Sequence, residues 1–197
     1  IRKLIQDTMA NHRRVIFNGN GYTQEWVEEA EKRGLFNLVS TPEALEQLTS
    51  EKNKKLLLDH KIFTEQELYS RYEILLDNYM KTVSLEANTM VEMIQKDLLP
   101  AIVSYTEQLA RTASLKKSVI EDVSLVSEVA LIKKLSQAQT DLYNGIEKLK
   151  ADNAAAKKID DHLEAAKFYQ SVVLKDMADI RVFADEAEAV MPESMLP

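Results

Sequence analysis

The residues best suited to chemistry in this chain are three histidines, one acidic triplet, one glycine pair and one basic patch. His12, His60 and His162 are the only imidazoles, and an imidazole can carry a proton or ligate a metal. No two of them lie within helical reach in sequence. A di-iron carboxylate bundle needs Glu-x-x-His pairs, but the residues three positions before the histidines are Met9, Leu57 and Ile159. Asp160-Asp161-His162 has the ligand types of a cation site. The same triplet is also a polar helix start, where acids meet the positive end of the helix dipole, and that reading needs no ion. Gly19-Asn20-Gly21 resembles the opening of a phosphate loop. It lacks the third glycine and any following Gly-Lys-Ser/Thr, the spacing that aims backbone N–H groups at a phosphate, so it reads as a turn.

Lys3, Arg13 and Arg14 make a basic patch on an acidic chain. It is either a solvated face or a salt-bridge contact to a domain outside this sequence. Tyr72, Tyr79, Tyr105 and Tyr169, like Met90, Met93, Met177 and Met191, sit at helical spacings. They read as core residues before they read as a binding surface. The chain has no cysteine, which excludes disulfides, zinc-thiolate sites and thiol nucleophiles. No Ser-His-Asp arrangement follows from spacing. The sequence therefore assigns no catalytic, cofactor-binding or metal-ligating residue.

The elements that would position such residues are helices. Of 197 residues, only four are Gly and four Pro, and 45% are hydrophobic. Ala, Leu, Glu, Lys and Gln fill the intervening stretches, and these are strong helix formers. Ile1, Leu4, Ile5 and Met9 share one face of a short leading helix. Val15-Ile16-Phe17 prefers an extended chain, and the Asn-Gly pairs behind it favour positive φ and a tight turn. This strand has no convincing partner. Either its partner lies outside this sequence, or the segment is an extended loop.

Thr23 begins a helix through Arg33, with Trp26, Val27 and Ala30 inward and Gly34 as a left-handed C-cap. Thr41-Pro42 starts a short helix to Leu48, and Ser50 starts another to His60. Thr64-Glu65-Gln66-Glu67 matches a capping box. Behind it runs an apolar stripe: Leu68, Tyr72, Leu75, Tyr79, Val83, Ala87, Met90, Ile94 and Leu98. Pro100 is expected to bend or break that helix, with a kinked continuation to about Ser114. A second long helix carries Val126, Val129, Ile132, Leu135, Leu142, Ile146 and Leu149. Its Gly145 costs ~1 kcal/mol relative to Ala, and Asp152-Asn153 reads as the turn behind it. A third carries Ile159, Leu163, Ala166, Tyr169, Val173, Met177, Ile180, Phe183, Ala187 and Val190, and Pro192 ends it. The expected fold is all-α: a bundle of three or more long antiparallel amphipathic helices, preceded by short helices and one short orphan strand. Three regions follow: 1–22, 23–63 and 64–197.

The net charge is −7, which repels phosphate backbones and argues against nucleic acid as a partner. No run of ~18 apolar residues exists to span a membrane, and no signal-peptide pattern is present. A cytoplasmic location is the expectation.

Arg14-Val15-Ile16-Phe17-Asn18-Gly19-Asn20-Gly21-Tyr22, then Glu25-Trp26 and Glu28-Glu29-Ala30-Glu31-Lys32-Arg33-Gly34-Leu35, resemble the segment after the catalytic domain of bacterial type III glutamine synthetases. The likeness continues in Thr41-Pro42-Glu43-Ala44-Leu45, His60-Lys61-Ile62-Phe63-Thr64-Glu65, Ser70-Arg71-Tyr72-Glu73-Ile74-Leu75-Leu76 and Leu98-Leu99-Pro100-Ala101. From about Thr112 onward only the helical texture is similar. The resemblance implies a parent ligase that makes glutamine from glutamate and ammonia with ATP hydrolysis, using magnesium or manganese. It implies a homo-oligomer of stacked hexameric rings. None of that family's metal, ATP or substrate residues falls in this sequence, so no cofactor and no activity are expected of these residues alone. The partners expected are its own catalytic domain and neighbouring subunits. On this reading 1–22 is the edge of a catalytic domain, 23–63 a connector and 64–197 the bundle, with the sequence cut at both ends. A free-standing helical interaction module without activity is the alternative.

Overall fold

The computed structural model describes residues 1–13 and 16–196. It is helical throughout its ordered elements and divides into two compact units, residues 1–44 and 45–197.

The first unit holds α1 (Arg2–Asn11) and α2 (Gln24–Lys32). The apolar face expected on α1 forms, but Ile1, Leu4, Ile5 and Met9 are all exposed. Of the expected strand, Arg14 and Val15 lie outside the described residues. Ile16 and Phe17 adopt no strand, and no strand occurs among the described residues. The physical reason is visible in what these two residues touch. The Ile16 carbonyl accepts from Arg33 Nη1 at 2.6 Å, and the Phe17 ring lies 4.8 Å from that of Trp26. Local side chains thus take the place of a strand partner.

The glycines behind Phe17 behave differently from expectation. Neither Gly19 nor Gly21 has a positive φ. A Cβ at Gly19 would stand 2.4 Å from the end of the half-buried Phe17 ring, so a larger residue there requires that ring to move. Gly34 does adopt the left-handed conformation, φ 68°, and the Leu35 N–H reaches the Ala30 carbonyl at 2.9 Å to close the helix end.

α3 (Thr41–Leu48) spans the boundary between the units; its cap is Ser40, whose Oγ accepts from the Glu43 N–H, and not Thr41. The second unit continues with α4 (Glu51–Asp59) and α5 (Glu65–Met93). α4 ends in the same left-handed turn as α2, but with Lys61 at φ 55° and the Ile62 N–H on the Leu57 carbonyl at 3.0 Å. A Cβ in this conformation costs ~1–2 kcal/mol. Lys61→Gly is therefore expected to raise stability by about 0.5–1 kcal/mol after the larger unfolded-state entropy of glycine is deducted. Urea unfolding midpoints of the two proteins check this.

The capping box at Thr64 is complete: the Glu67 N–H bonds to Thr64 Oγ1, and Glu67 Oε2 accepts from the Thr64 N–H. The helix it starts does not break at Pro100. Residues Ile94–Leu98 form one π turn, in which the Leu99 N–H bonds to the Ile94 carbonyl, and α6 (Leu99–Val119) follows directly. Proline lacks the N–H that the carbonyl four residues back would use. Widening the turn by one residue absorbs that loss. The continuation reaches Val119, past the expected Ser114.

α7 (Val126–Ala156) folds back along this rod. A third run comprises α8 (His162–Phe168), a π turn at Tyr169–Val173 and α9 (Leu174–Glu188). The core between the three runs includes Val83, Ala87, Ile94, Leu98 and Ile102 from the first, Leu135, Leu142, Ile146 and Leu149 from the second, and Tyr169, Val173, Ile180 and Ala187 from the third. The expected stripe on this rod is buried at Leu68, Val83, Ala87, Ile94 and Leu98, but Leu76 is buried in place of Leu75, which is exposed. The α7 stripe begins late, since Val126 and Val129 are exposed. Among the described residues no helix is long and apolar enough to cross a membrane.

Candidate functional site

The histidines stay in separate elements. His12 follows α1, and His60 follows α4. His162 opens α8, where its Nδ1 lies 2.5 Å from Glu73 Oε2 on α5. Among the described residues no three His, Cys, Asp or Glu side chains are grouped to hold a metal ion. The acidic triplet is a helix start: Asp161 Oδ1 accepts from the Glu164 N–H at 2.8 Å, and this is the N-cap of α8. Gly19-Asn20-Gly21 is a local turn, in which Asn20 Oδ1 accepts from the Tyr22 N–H at 3.0 Å and the Asn20 carbonyl from Thr23 Oγ1 at 2.8 Å. Lys3 and Arg13 are exposed, and neither forms an ion pair among the described residues; Arg14 lies outside them.

The polar groups that do converge sit between the long helices. Asn153 Oδ1 accepts from Ser84 Oγ at 2.9 Å and from the Tyr169 hydroxyl at 3.2 Å, and its Nδ2 donates to Asn88 Oδ1 at 3.0 Å. This network ties α5, α7 and the π turn after α8 together. It overturns the expected turn at Asp152-Asn153. The helix continues to Ala156 because the Asn153 amide finds partners on two other helices instead of on its own backbone. The spacing did hold a signal. Ile146, Leu149, Asn153 and Ala156 follow each other at steps of three and four, so Asn153 lies on the buried stripe.

A second cluster joins α7 to α9. Lys148 reaches Asp176 and also Asp152, the latter at 3.4 Å. Asp176 is buried, and its Oδ2 has no hydrogen-bond partner. Burial pushes its carboxyl above the usual carboxylate range, Lys148 opposes this, and Asp152 adds to it. A third cluster closes the α6–α7 hairpin, where Glu128 binds Lys116 and accepts from Ser127 Oγ at 2.9 Å. Lys116 foremost, then the backbone N–H of Glu128 and the Ser127 hydroxyl, hold the Glu128 carboxyl down at about 2.

A carboxyl whose folded pKa is depressed adds stability above its unfolded value and loses it as pH falls through the folded value. The Glu128 contribution is therefore full above pH 5 and fades between there and about 2. Glu128→Gln is expected to flatten that part of the stability profile while leaving the neutral-to-alkaline limb parallel to the parent. Thermal melts from pH 2.5 to 7 read this directly.

These three clusters pair off within the bundle and present no nucleophile beside a base and no oxyanion pocket. Their geometry fits clamps between helices. The first-unit residues and the helix caps likewise serve local structure.

Comparison with known proteins gives the following. A family model described as the glutamine synthetase C-terminal domain matches residues 1–117. A glutamine synthetase of Butyrivibrio fibrisolvens is 42% identical over 196 residues, an alignment covering 100% of this chain and 28% of that protein. A type-3 glutamine synthetase of Dictyostelium discoideum is 33% identical over 199 residues, covering 99% of this chain and 27% of its own. A glutamine synthetase of Bacteroides fragilis is 27% identical over 201 residues, covering 100% and 28%. The chain thus spans little more than a quarter of the length of these relatives.

Proposed function

Because the chain belongs to the glutamine synthetase C-terminal domain family, we propose that it is the non-catalytic C-terminal portion of a glutamine synthetase. The full-length enzyme would join ammonia to glutamate with ATP hydrolysis. These 197 residues would support the catalytic domain or make subunit contacts in a homo-oligomer of stacked hexameric rings in the cytoplasm. The observation that carries the reading is the family match over residues 1–117. ATP and magnesium or manganese belong to such an enzyme. Among the described residues no three His, Cys, Asp or Glu side chains are grouped to hold a metal ion, and the acidic clusters engage lysines or helix caps. The ATP and metal sites would lie in the rest of the enzyme. Within this reading 1–22 is an edge of the catalytic domain, 23–63 a connector and 64–197 the supporting bundle.

The test is glutamine formation from glutamate, ammonia, ATP and magnesium, measured side by side on residues 1–197 and on the full-length gene product. Activity confined to the full-length product is the expected result. Activity in neither would overturn the ligase assignment and favour an independent helical interaction module. A full-length product that kept its activity and its ring assembly after deletion of residues 45–197 would overturn the supporting role.

A further inference from the structure

α5 and α9 leave an open groove of about 860 Å³ between them. Its floor is apolar and rich in methionine: Leu85, Met90, Met93, Ile94, Met177 and Ala184. Two of these are far from buried, Leu85 being 67% and Met93 59% exposed. Methionine is unbranched and polarisable, so a floor of this kind adapts to the side chains laid on it.

The rim is acidic. Glu86, Asp97 and Glu188 line it, and none of the three forms an ion pair among the described residues. Arg181, which also lines the edge, is already held by Asp185 at 2.7 Å. Elsewhere on these helices Asp77 is paired to Lys81 and Glu92 to Lys96, whereas Asp179 and Glu186 on α9 form no ion pair among the described residues. Three carboxylates without an ion pair, Glu86, Asp97 and Glu188, thus border the open apolar floor. From Leu85 to Leu98 the groove follows the end of α5 and the π turn behind it for about 20 Å, the length of three to four helical turns.

An apolar trough of this length edged by free carboxylates matches an amphipathic helix with an apolar stripe and lysine or arginine on its flanks. A second copy of the same face is disfavoured, because it would bring acidic rim against acidic rim. We propose that the groove receives a basic-edged amphipathic helix from the portion of the longer polypeptide outside residues 1–197. This rests on the reading of the chain as one part of a larger enzyme. The relatives carry nearly three-quarters of their length outside the matched region, and a tethered segment binds at high effective concentration. A groove of modest area is then sufficient to hold it.

Met93 is the natural reporter, since thioether oxidation by peroxide follows exposure. In the assembled full-length protein Met93 is expected to oxidise about fivefold or more slowly than in the 197-residue chain, read by mass spectrometry of the peptides. The double variant Glu86→Lys/Glu188→Lys, made in the full-length protein, is expected to restore the faster rate with helical content unchanged. Equal Met93 rates in the full-length protein and the isolated chain would overturn the proposal. Protection that survives the double charge reversal would overturn it too, because the rim would then play no part in holding the occupant. Glutamine formation by the same full-length sample separates the two readings. An active synthetase with unprotected Met93 sinks the groove inference alone, whereas an inactive protein with protected Met93 sinks the ligase assignment and leaves the groove occupied.

Discussion

Asn153→Leu is expected to lower the stability of the bundle by about 2–4 kcal/mol, because two buried hydroxyls lose their shared acceptor. Ser84 and Tyr169 are 8% and 3% exposed and both donate to Asn153 Oδ1. Leucine has nearly the same volume, so no large cavity confuses the result. Asn88 is exposed and regains its bond from water. The triple variant Ser84→Ala/Asn153→Leu/Tyr169→Phe removes the orphaned donors together with the acceptor. It is expected to recover most of the loss, since replacing every partner of a buried hydrogen bond by apolar groups is nearly neutral. Guanidinium unfolding of the parent, the single and the triple variant decides it. A triple variant no more stable than the single would mean that the network's polarity is not what fixes these helices.

Gly145→Val is expected to cost about 3 kcal/mol or more, through overpacking where Gly145 of α7 faces Ile180 of α9. A Cβ built on Gly145 stands 2.8 Å from Ile180 Cγ1, well inside contact distance. Ile180 is 1% exposed and branched at Cβ, so it has little freedom to move aside. Gly145→Ala has two opposing effects: the gain of ~1 kcal/mol in helix propensity and the clash, which is larger. A net loss is expected. In an Ile180→Ala background the sign should reverse, leaving the propensity gain alone. A double-mutant cycle at these two positions therefore has a coupling free energy as large as the clash. Additive effects would show that the helices are not held at this separation.

The groove between α5 and α9 and the close approach at Gly145 share one helix. Ile180 lies on the wall facing Gly145 and also borders the groove. Substitutions that spread α7 from α9 are thus expected to alter the groove floor, and variants for the oxidation experiment are best kept to the rim, at the exposed Glu86 and the half-buried Glu188.

The class of the fold, its three long runs and most of its helix ends were legible from the chain alone. Such features rest on relations within three or four residues. Thr64 meets Glu67 across one turn, Gly34 meets the carbonyls just behind it, and Asp161 caps Glu164. The buried faces of α5, α7 and α9 follow from the same spacing, since residues three and four apart share a side of a helix. The resemblance in residues 14–101 likewise pointed to the family that the comparison shows.

What the tertiary structure decided are matters settled by partners far away in sequence. Asn153 stays helical because Ser84, 69 positions earlier, donates to it. Gly145 is favoured where its only near neighbour is Ile180 on another helix. Leu76 is buried in place of Leu75 because it meets Leu45 and Ala166. Pro100, read as a bend or break with a kinked continuation, follows a π turn at Ile94–Leu98 within a rod that α7 packs against. Local rules count neighbours along the chain and cannot weigh those contacts. The candidate surface shows the same division. Its methionines were readable only as core spacing, and their exposure beside unpaired carboxylates follows from where α9 lies against α5.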